Sequence, residues 1–411
     1  MADRMYDVCI IGAGMWGSAA AYHTCLVPDT KVCLIGPEEP TSSQEFNSRA
    51  IHGAYYDEVR VTRTNMGSVI CSELSKRSHE GFDKLEKNTG ISFYTECNNV
   101  NFGPVKSQYI TDCKRTSELL QTEHVLLTGD QLTQKFPYLN MALTLGSNIE
   151  CILQLSKCGL VNPRKLVAAQ KTAADLHGCD IFNTTVDQIT EKYHTPSVGK
   201  ILEVVTEDGQ IIRSRKVLIC TGVFTLSKPL LPSHLLPDMK LVPTQTLRIE
   251  LSKENVDNMR DMPSICSFTR EDNQRDGYIC PPVIYPDGKT YLKIGHGRLR
   301  YLKSEEVAEW YRSDGDPEVT EKLMGMMKRF FPGLIPISTH TDTCAVTVTR
   351  TDMPYVDMVT PEIGVAIGDN GGGAKFCYEI GRMAAKMIAK GCWDYDLPAR
   401  EFEVRFKEPK Q

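Results

Sequence analysis

Three glycines, Gly12, Gly14 and Gly17, follow directly on the apolar run Tyr6–Ile11 and open the stretch Met15–Leu26, whose alanines and apolar residues suit a packed helix. Few folds accept a strand that turns into a helix over G-x-G-x-x-G. The first glycine permits the tight turn, the second lets backbone approach a pyrophosphate, and the third allows the helix to lie close on the strand. The helix N-terminus, opened by Met15 and Trp16, offers unpaired N–H groups and a positive dipole to phosphates. Lys31–Ile35, closed by Gly36-Pro37, reads as a second buried strand. The first forty residues therefore form a βαβ unit that binds a dinucleotide. An acidic residue usually ends the second strand and holds the ribose. Here the sequence is Gly36-Pro37-Glu38-Glu39, so Glu38 or Glu39 reaches the ribose, or the backbone makes that contact.

The remainder of the chain is longer than one such unit needs. Its 411 residues suit two domains, and 41% hydrophobic with 24% charged residues is ordinary for a soluble globular protein. A formal net charge of -5 gives no electrostatic reason for a nucleic-acid or acidic-membrane partner. No run reaches the roughly 18–20 apolar residues of a membrane span. The start lacks the features of a secretory signal, and the end, KEPKQ, is not a Ser-Lys-Leu peroxisomal address, so a cytoplasmic location is expected. Fifteen cysteines include no C-x-x-C pair, and Cys9, Cys33 and Cys220 lie in apolar runs, which points to reduced thiols, no disulfide framework and no metal site.

Further along, 42–56 reads as loop and 63–87 as helix, and 108–148 is mixed. Asn162-Pro163 caps and starts another helix that stops at Gly178. Ile201–Thr206 and Ile211–Ser214 around Asp208-Gly209 predict a hairpin, and Lys216–Cys220 a separate buried strand ending at Thr221-Gly222. Prolines 229, 232 and 237 mark a crossing between domains. Near the C-terminus Asp369-Asn370-Gly371-Gly372-Gly373 leads into a helix, a glycine density that fits backbone lying against a ligand.

In this order the segments resemble the family of monomeric sarcosine oxidase, N-methyltryptophan oxidase, pipecolate oxidase and fructosyl amino acid oxidase. The resemblance covers nearly the whole chain, through DVCIIGAGMWGSAAAYH, SRAIHGAYYDE, GLVNPRKLVAAQ, TTVDQI and VLICTGVF to TYLKIGHG, DTCAVTVTRTDMPYVD and AIGDNGGGAKF. It implies a two-domain α/β flavoprotein. The Rossmann-like FAD domain would comprise 1–85, 151–228 and 338–411, and a substrate domain with a mainly antiparallel sheet would comprise 86–150 and 229–337. It also implies a covalent thioether between Cys344 and the flavin 8α-carbon, a chemically sound role for a thiolate. Lys293, in YLKIG, matches the lysine over the flavin that promotes reaction with oxygen. Lys375, in GGGAKF, matches one that binds substrate carboxylate, and Arg49 an arginine near the ring. Ser42, Ser43 and Val186 complete the implied FAD contacts.

Three positions depart from the sarcosine oxidases. His52 stands where they place a second arginine, Val346 where they place a tyrosine, and Gly297, beside His296, where they place a histidine. Histidine is only partly protonated near neutral pH, so the carboxylate clamp is weakened. The expected reaction is oxidation of the C–N bond of a secondary amine or amino acid derivative, with O2 as acceptor, giving an imine and hydrogen peroxide. A flavin dehydrogenase passing electrons to another carrier and a non-catalytic flavin-binding protein are the alternatives. The partners are a small amine and O2, and a monomer is expected.

Overall fold

The computed structural model describes residues 4–140, 148–193, 200–267, 277–295 and 301–408. The first strand, Met5–Ile11, pairs in parallel with Val32–Ile35 on one side and Ile211–Ile219 on the other, and Ile363–Ile367 extends the parallel set. Asp180–Phe182 closes one edge, while Lys200–Thr206, Val186–Tyr193 and Tyr355–Met358 add antiparallel strands. Alternation within each strand buries both faces. Ile10, Leu34 and Leu218 pack beneath the helices Met15–Cys25, Pro163–Leu176 and Cys377–Lys390, whereas Cys9, Ile35 and Ile219 face a second core with Leu241 and Tyr355.

The register matters for function. Ile11 lies beside both Ile35 and Ile219, and Ile219 beside Val365, so the parallel strands end at one edge of the sheet. Ligands of open α/β sheets bind beyond the carboxyl ends of such strands. Here those ends are Gly12, Gly36, Cys220 and Gly368.

A second eight-stranded sheet is mostly antiparallel and runs in the order Thr339–Thr349, Met239–Glu250, Thr290–Gly295, Gly277–Ile284, Ser264–Ser267, Asn99–Pro104, Ile149–Gln154, His124–Thr128. The helix Pro317–Phe330 covers one face, burying Leu323, Met327 and Phe330 against Leu247, Ile249 and Ile294. Thr339–Thr349 falls within the expected FAD-binding segment 338–411 and pairs along Met239–Glu250 in the second sheet. Its Ala345 nonetheless packs into the first sheet's core, so this strand bridges the two layers. A small third sheet joins Arg60–Arg63, Cys158–Val161 and Tyr94–Glu96.

Local differences from the sequence reading have simple causes. The expected loop 42–56 contains a short helix, Ser43–Ser48, because Ser42 accepts a hydrogen bond from the N–H of Glu45. The helix expected over 63–87 begins later, at Val69, because Arg60–Arg63 is drawn into a strand by pairing with Cys158–Val161. The expected break between Ser214 and Lys216 is absent: one strand, Ile211–Ile219, pairs first with the hairpin partner and then with Met5–Ile11. Asn162 and Pro163 do cap and start their helix, and Gly178 beyond it has φ +85°. Among the described residues no helix is long and apolar enough to cross a membrane.

Candidate functional site

The glycine turn has a separate steric reason at each position. A Cβ on Gly12 (φ +105°) would stand 2.4 Å from the carbonyl oxygen of Cys220, and one on Gly17 only 1.8 Å from that of Gly12. Gly36 is held as tightly, 2.5 Å from the backbone nitrogen of Ala13. Gly14 differs: a Cβ there would meet no protein atom within 4 Å. It is the N-cap of Met15–Cys25, with no side-chain cap and no acid in the first turn, so its open side and the helix dipole both face a cavity. That cavity is lined by Gly12, Gly14, Met15, Trp16, Gly36, Val186, Thr221 and Gly222, and extends to His52, Tyr311, Ala345 and Asp369. A trough with an uncapped helix N-terminus and an open glycine at its base fits FAD.

A second cavity, of about 440 Å³, shares Met15, Tyr56, Tyr311, Asp369 and Gly373 with the first. Lys293, Lys375, Cys344, Val346 and Gly371 line it, brought together from three distant stretches of sequence. Asp369 and Asn370 explain part of that assembly. The Asp369 carboxylate accepts the N–H and hydroxyl of Thr347 at 3.0 and 3.2 Å, and the Asn370 side-chain oxygen accepts the N–H of Thr349 at 2.9 Å. These bonds pin the glycine turn along the strand that carries Cys344 and Val346. Trp16 adds another tie, its indole donating to the carbonyl of Gly373 at 2.9 Å. Burial pushes the Asp369 carboxyl up to about 6.

Cys344 is half-buried, its sulfur 3.6 Å from the hydroxyl of Tyr311, while Trp310 donates to its carbonyl at 2.7 Å. Tyr311 stacks on His52, ring centroids 5.3 Å apart at 12°. Lys293 is 1% exposed and paired with Asp57. Burial, then the neighbouring Arg60, lowers its affinity for a proton.

Several expected residues are placed otherwise. Arg49 lines neither cavity: it ends the short helix, paired with Glu45 and donating to the carbonyl of Glu38. The arginines that line the second cavity are Arg60, Arg164 and Arg312. His52 lines the first cavity, not the second, with its Nε2 3.1 Å from the carbonyl of Arg49. Burial takes its pKa down to about 4, so it is neutral at physiological pH and supplies no carboxylate clamp. Glu38 and Glu39 are absent from the first cavity's wall, and Glu39 is bound by Arg164 at 2.7–2.8 Å. Ser42 and Ser43 are exposed at the start of the short helix, and Gly17 and Gly372 shape turns without lining either cavity. His296 and Gly297 lie outside the described residues.

The sequence reading missed Asp57, Arg60, Thr246 and Tyr311, all of which line the second cavity. Asp57 was within reach, since it lies within the quoted block SRAIHGAYYDE. Arg60 was obscured by the helical reading of the residues after it. Thr246 and Tyr311 carry no local signal.

The profile of the family described as FAD dependent oxidoreductase matches residues 7–387. The chain belongs to that family. It is an FAD-dependent oxidoreductase of the amino acid oxidase type. Among its relatives is a monomeric sarcosine oxidase of Bacillus sp. (strain NS-129), 22% identical over 403 residues, which covers 95% of each chain. An N-methyl-L-tryptophan oxidase of Yersinia pestis (strain Pestoides F) is 23% identical over 389 residues, 92% of this chain and 94% of that one. Among solved structures, NikD, an amino acid oxidase essential for nikkomycin biosynthesis, superposes with a TM-score of 0.75 at 16% identity, covering 99% of this chain and all of that one. The α/β architecture with its mixed sheets is the one these flavoprotein oxidases share.

Proposed function

We propose that the protein oxidises the C–N bond of a secondary amine or amino acid derivative, with O2 as acceptor, yielding an imine and hydrogen peroxide. The observation that carries this reading is the convergence of Lys293, Lys375 and Cys344 on one cavity that opens into the glycine-lined trough. When bound, FAD supplies the redox chemistry, taking two electrons from the amine and passing them to oxygen.

The chain's own residues supply position and charge. Gly12, Gly14 and the first turn of Met15–Cys25 hold the pyrophosphate, and Thr221, Gly222 and Val186 wall the trough. Cys344, which lines the second cavity, would hold the flavin through a thioether, and such a tether would prevent its loss. Lys375, buried beside the glycine turn, receives the substrate carboxylate, and Arg60 is a further cation on the same cavity wall. Lys293 presents a fixed ammonium to the negative charge that develops on oxygen as it is reduced. With His52 neutral and Val346 apolar, the carboxylate is held by fewer hydrogen bonds than a bidentate clamp provides, and derivatives larger than sarcosine fit the reading better.

A peroxide-coupled screen of N-methyl amino acids, cyclic imino acids, glycated amino acids and aminophosphonates tests the activity; no peroxide from any amine refutes it. Denatured wild-type protein should keep its yellow colour in the precipitate, and Cys344→Ala should release it. Lys293→Met should slow reoxidation by oxygen far more than reduction by the amine, and equal slowing of both steps would remove the lysine from its role.

A further inference from the structure

Asp57 lies in the loop before the strand Arg60–Arg63 and is 8% exposed. Each of its carboxylate oxygens accepts two donors. Oδ1 takes the hydroxyl of Tyr285 at 2.9 Å and the N–H of Glu58 at 2.7 Å, and Oδ2 takes the Lys293 ammonium and the Arg60 guanidinium. Arg60 is fixed in turn by the carbonyls of Val59 at 3.0 Å and Ala54 at 2.8 Å. One carboxylate thus joins its own loop, the strands that carry Arg60 and Lys293, and Tyr285 just past the strand Gly277–Ile284, at the wall of the second cavity.

Among the described residues, the other hydrogen-bond acceptor of the Lys293 ammonium is the carbonyl of Val59 at 3.5 Å. The groups facing it are Arg60 on its own short strand, Tyr278 and Cys280 on the neighbouring strand, and Asp342 on Thr339–Thr349. Asp342 is already committed to Arg248, which holds it at 2.6 and 2.9 Å. Burial and the Arg60 charge both favour the neutral amine, and Tyr278, Cys280 and Asp342 oppose them from a distance. The carboxylate in direct contact with the ammonium is that of Asp57.

We propose that Asp57 is the positioning residue that holds Lys293 protonated and aimed at the cavity, so that the reaction with oxygen depends on a carboxylate that need not touch oxygen or substrate. This rests on the reading of Lys293 given above. The chemistry is a proton equilibrium: without the carboxylate, Lys293 gives its proton to solvent at lower pH than in the wild type, and the fixed cation is lost.

The test is stopped-flow reoxidation of the amine-reduced holoenzyme across pH, with the visible flavin spectrum titrated alongside. Wild type should show a level reoxidation rate through the neutral range. Asp57→Asn should show a rate falling about tenfold per pH unit above a new midpoint, recovering at lower pH, with a matching new transition in the flavin spectrum. Tyr285→Phe, which keeps both charges, should show neither. A rate in Asp57→Asn that equals wild type, or one depressed equally at every pH, overturns the proposal. Should Asp57→Asn not fold with its lysine buried unpaired, Asp57→Asn/Lys293→Met replaces it. That variant should reoxidise as slowly as Lys293→Met alone, and a further slowing overturns the proposal. The two readings fail separately: unchanged reoxidation in Lys293→Met defeats the role of the lysine, whereas slow Lys293→Met beside normal Asp57→Asn defeats only the role of Asp57.

Discussion

Replacing Gly14 with alanine tests the trough directly, because the same change at Gly17 provides an internal contrast. At Gly14 the backbone has φ -79° and ψ -168°, an extended conformation open to alanine, and the added methyl meets no protein atom within 4 Å. Alanine is a poorer N-cap than glycine by roughly 0.5–1 kcal/mol. Its stiffer unfolded chain offsets about 0.4–1 kcal/mol of that. The apoprotein of Gly14→Ala should therefore unfold within about 1 kcal/mol of its parent. The methyl would instead occupy the space of the pyrophosphate and displace it from the helix N–H groups. Losing one charge-assisted hydrogen bond costs about 1.5–3 kcal/mol, or roughly a ten- to hundredfold loss in FAD affinity. At Gly17 the methyl would stand 1.8 Å from the carbonyl oxygen of Gly12, so helix and turn must separate, at about 1–3 kcal/mol of stability. The assay pairs urea unfolding of apoproteins with FAD titration, all in a Cys344→Ala background so that binding is reversible. Gly14→Ala that binds FAD like its parent would refute the argument, because nothing would then occupy the open side of that residue.

Two further predictions concern stability. Burial lowers the pKa of His79 to about 4 and that of His23 to about 3, both below the usual 6.5, so the unfolded chain takes up protons first. Stability from these residues is present above pH 6.5 and lost as pH falls, by about 2 kcal/mol each between about pH 7 and about pH 5. Urea unfolding at both pH values measures it, and an unchanged free energy would contradict the burial argument. Asp316 caps the helix Pro317–Phe330, accepting the N–H groups of Glu318 at 2.8 Å and Val319 at 3.3 Å. Asp316→Ala should cost about 1 kcal/mol while leaving flavin content unchanged, and a wild-type midpoint would show the cap to be idle.

What the sequence determined by itself is what local sterics and short-range chemistry dictate. Gly12, Gly14 and Gly17 announce the trough because the turn, the open face and the close helix contact all fall within six residues of backbone. Asn162-Pro163 and Gly178 mark a helix for the same reason, and the cysteine and lysine blocks carry the family resemblance as contiguous strings. Tertiary structure alone decided which side chains share a wall. Arg49 is the cation that the resemblance implies, but the short helix Ser43–Ser48 ties it to Glu45, while strand pairing with Cys158–Val161 carries Arg60 into the second cavity. The contact of Asp57 with Lys293 spans 236 residues and exists only because the second sheet brings Thr290–Gly295 against the loop that precedes Arg60. A chain writes its turns into neighbouring residues, but the meeting of distant charges is fixed by the packing of sheets, which no short window of sequence records.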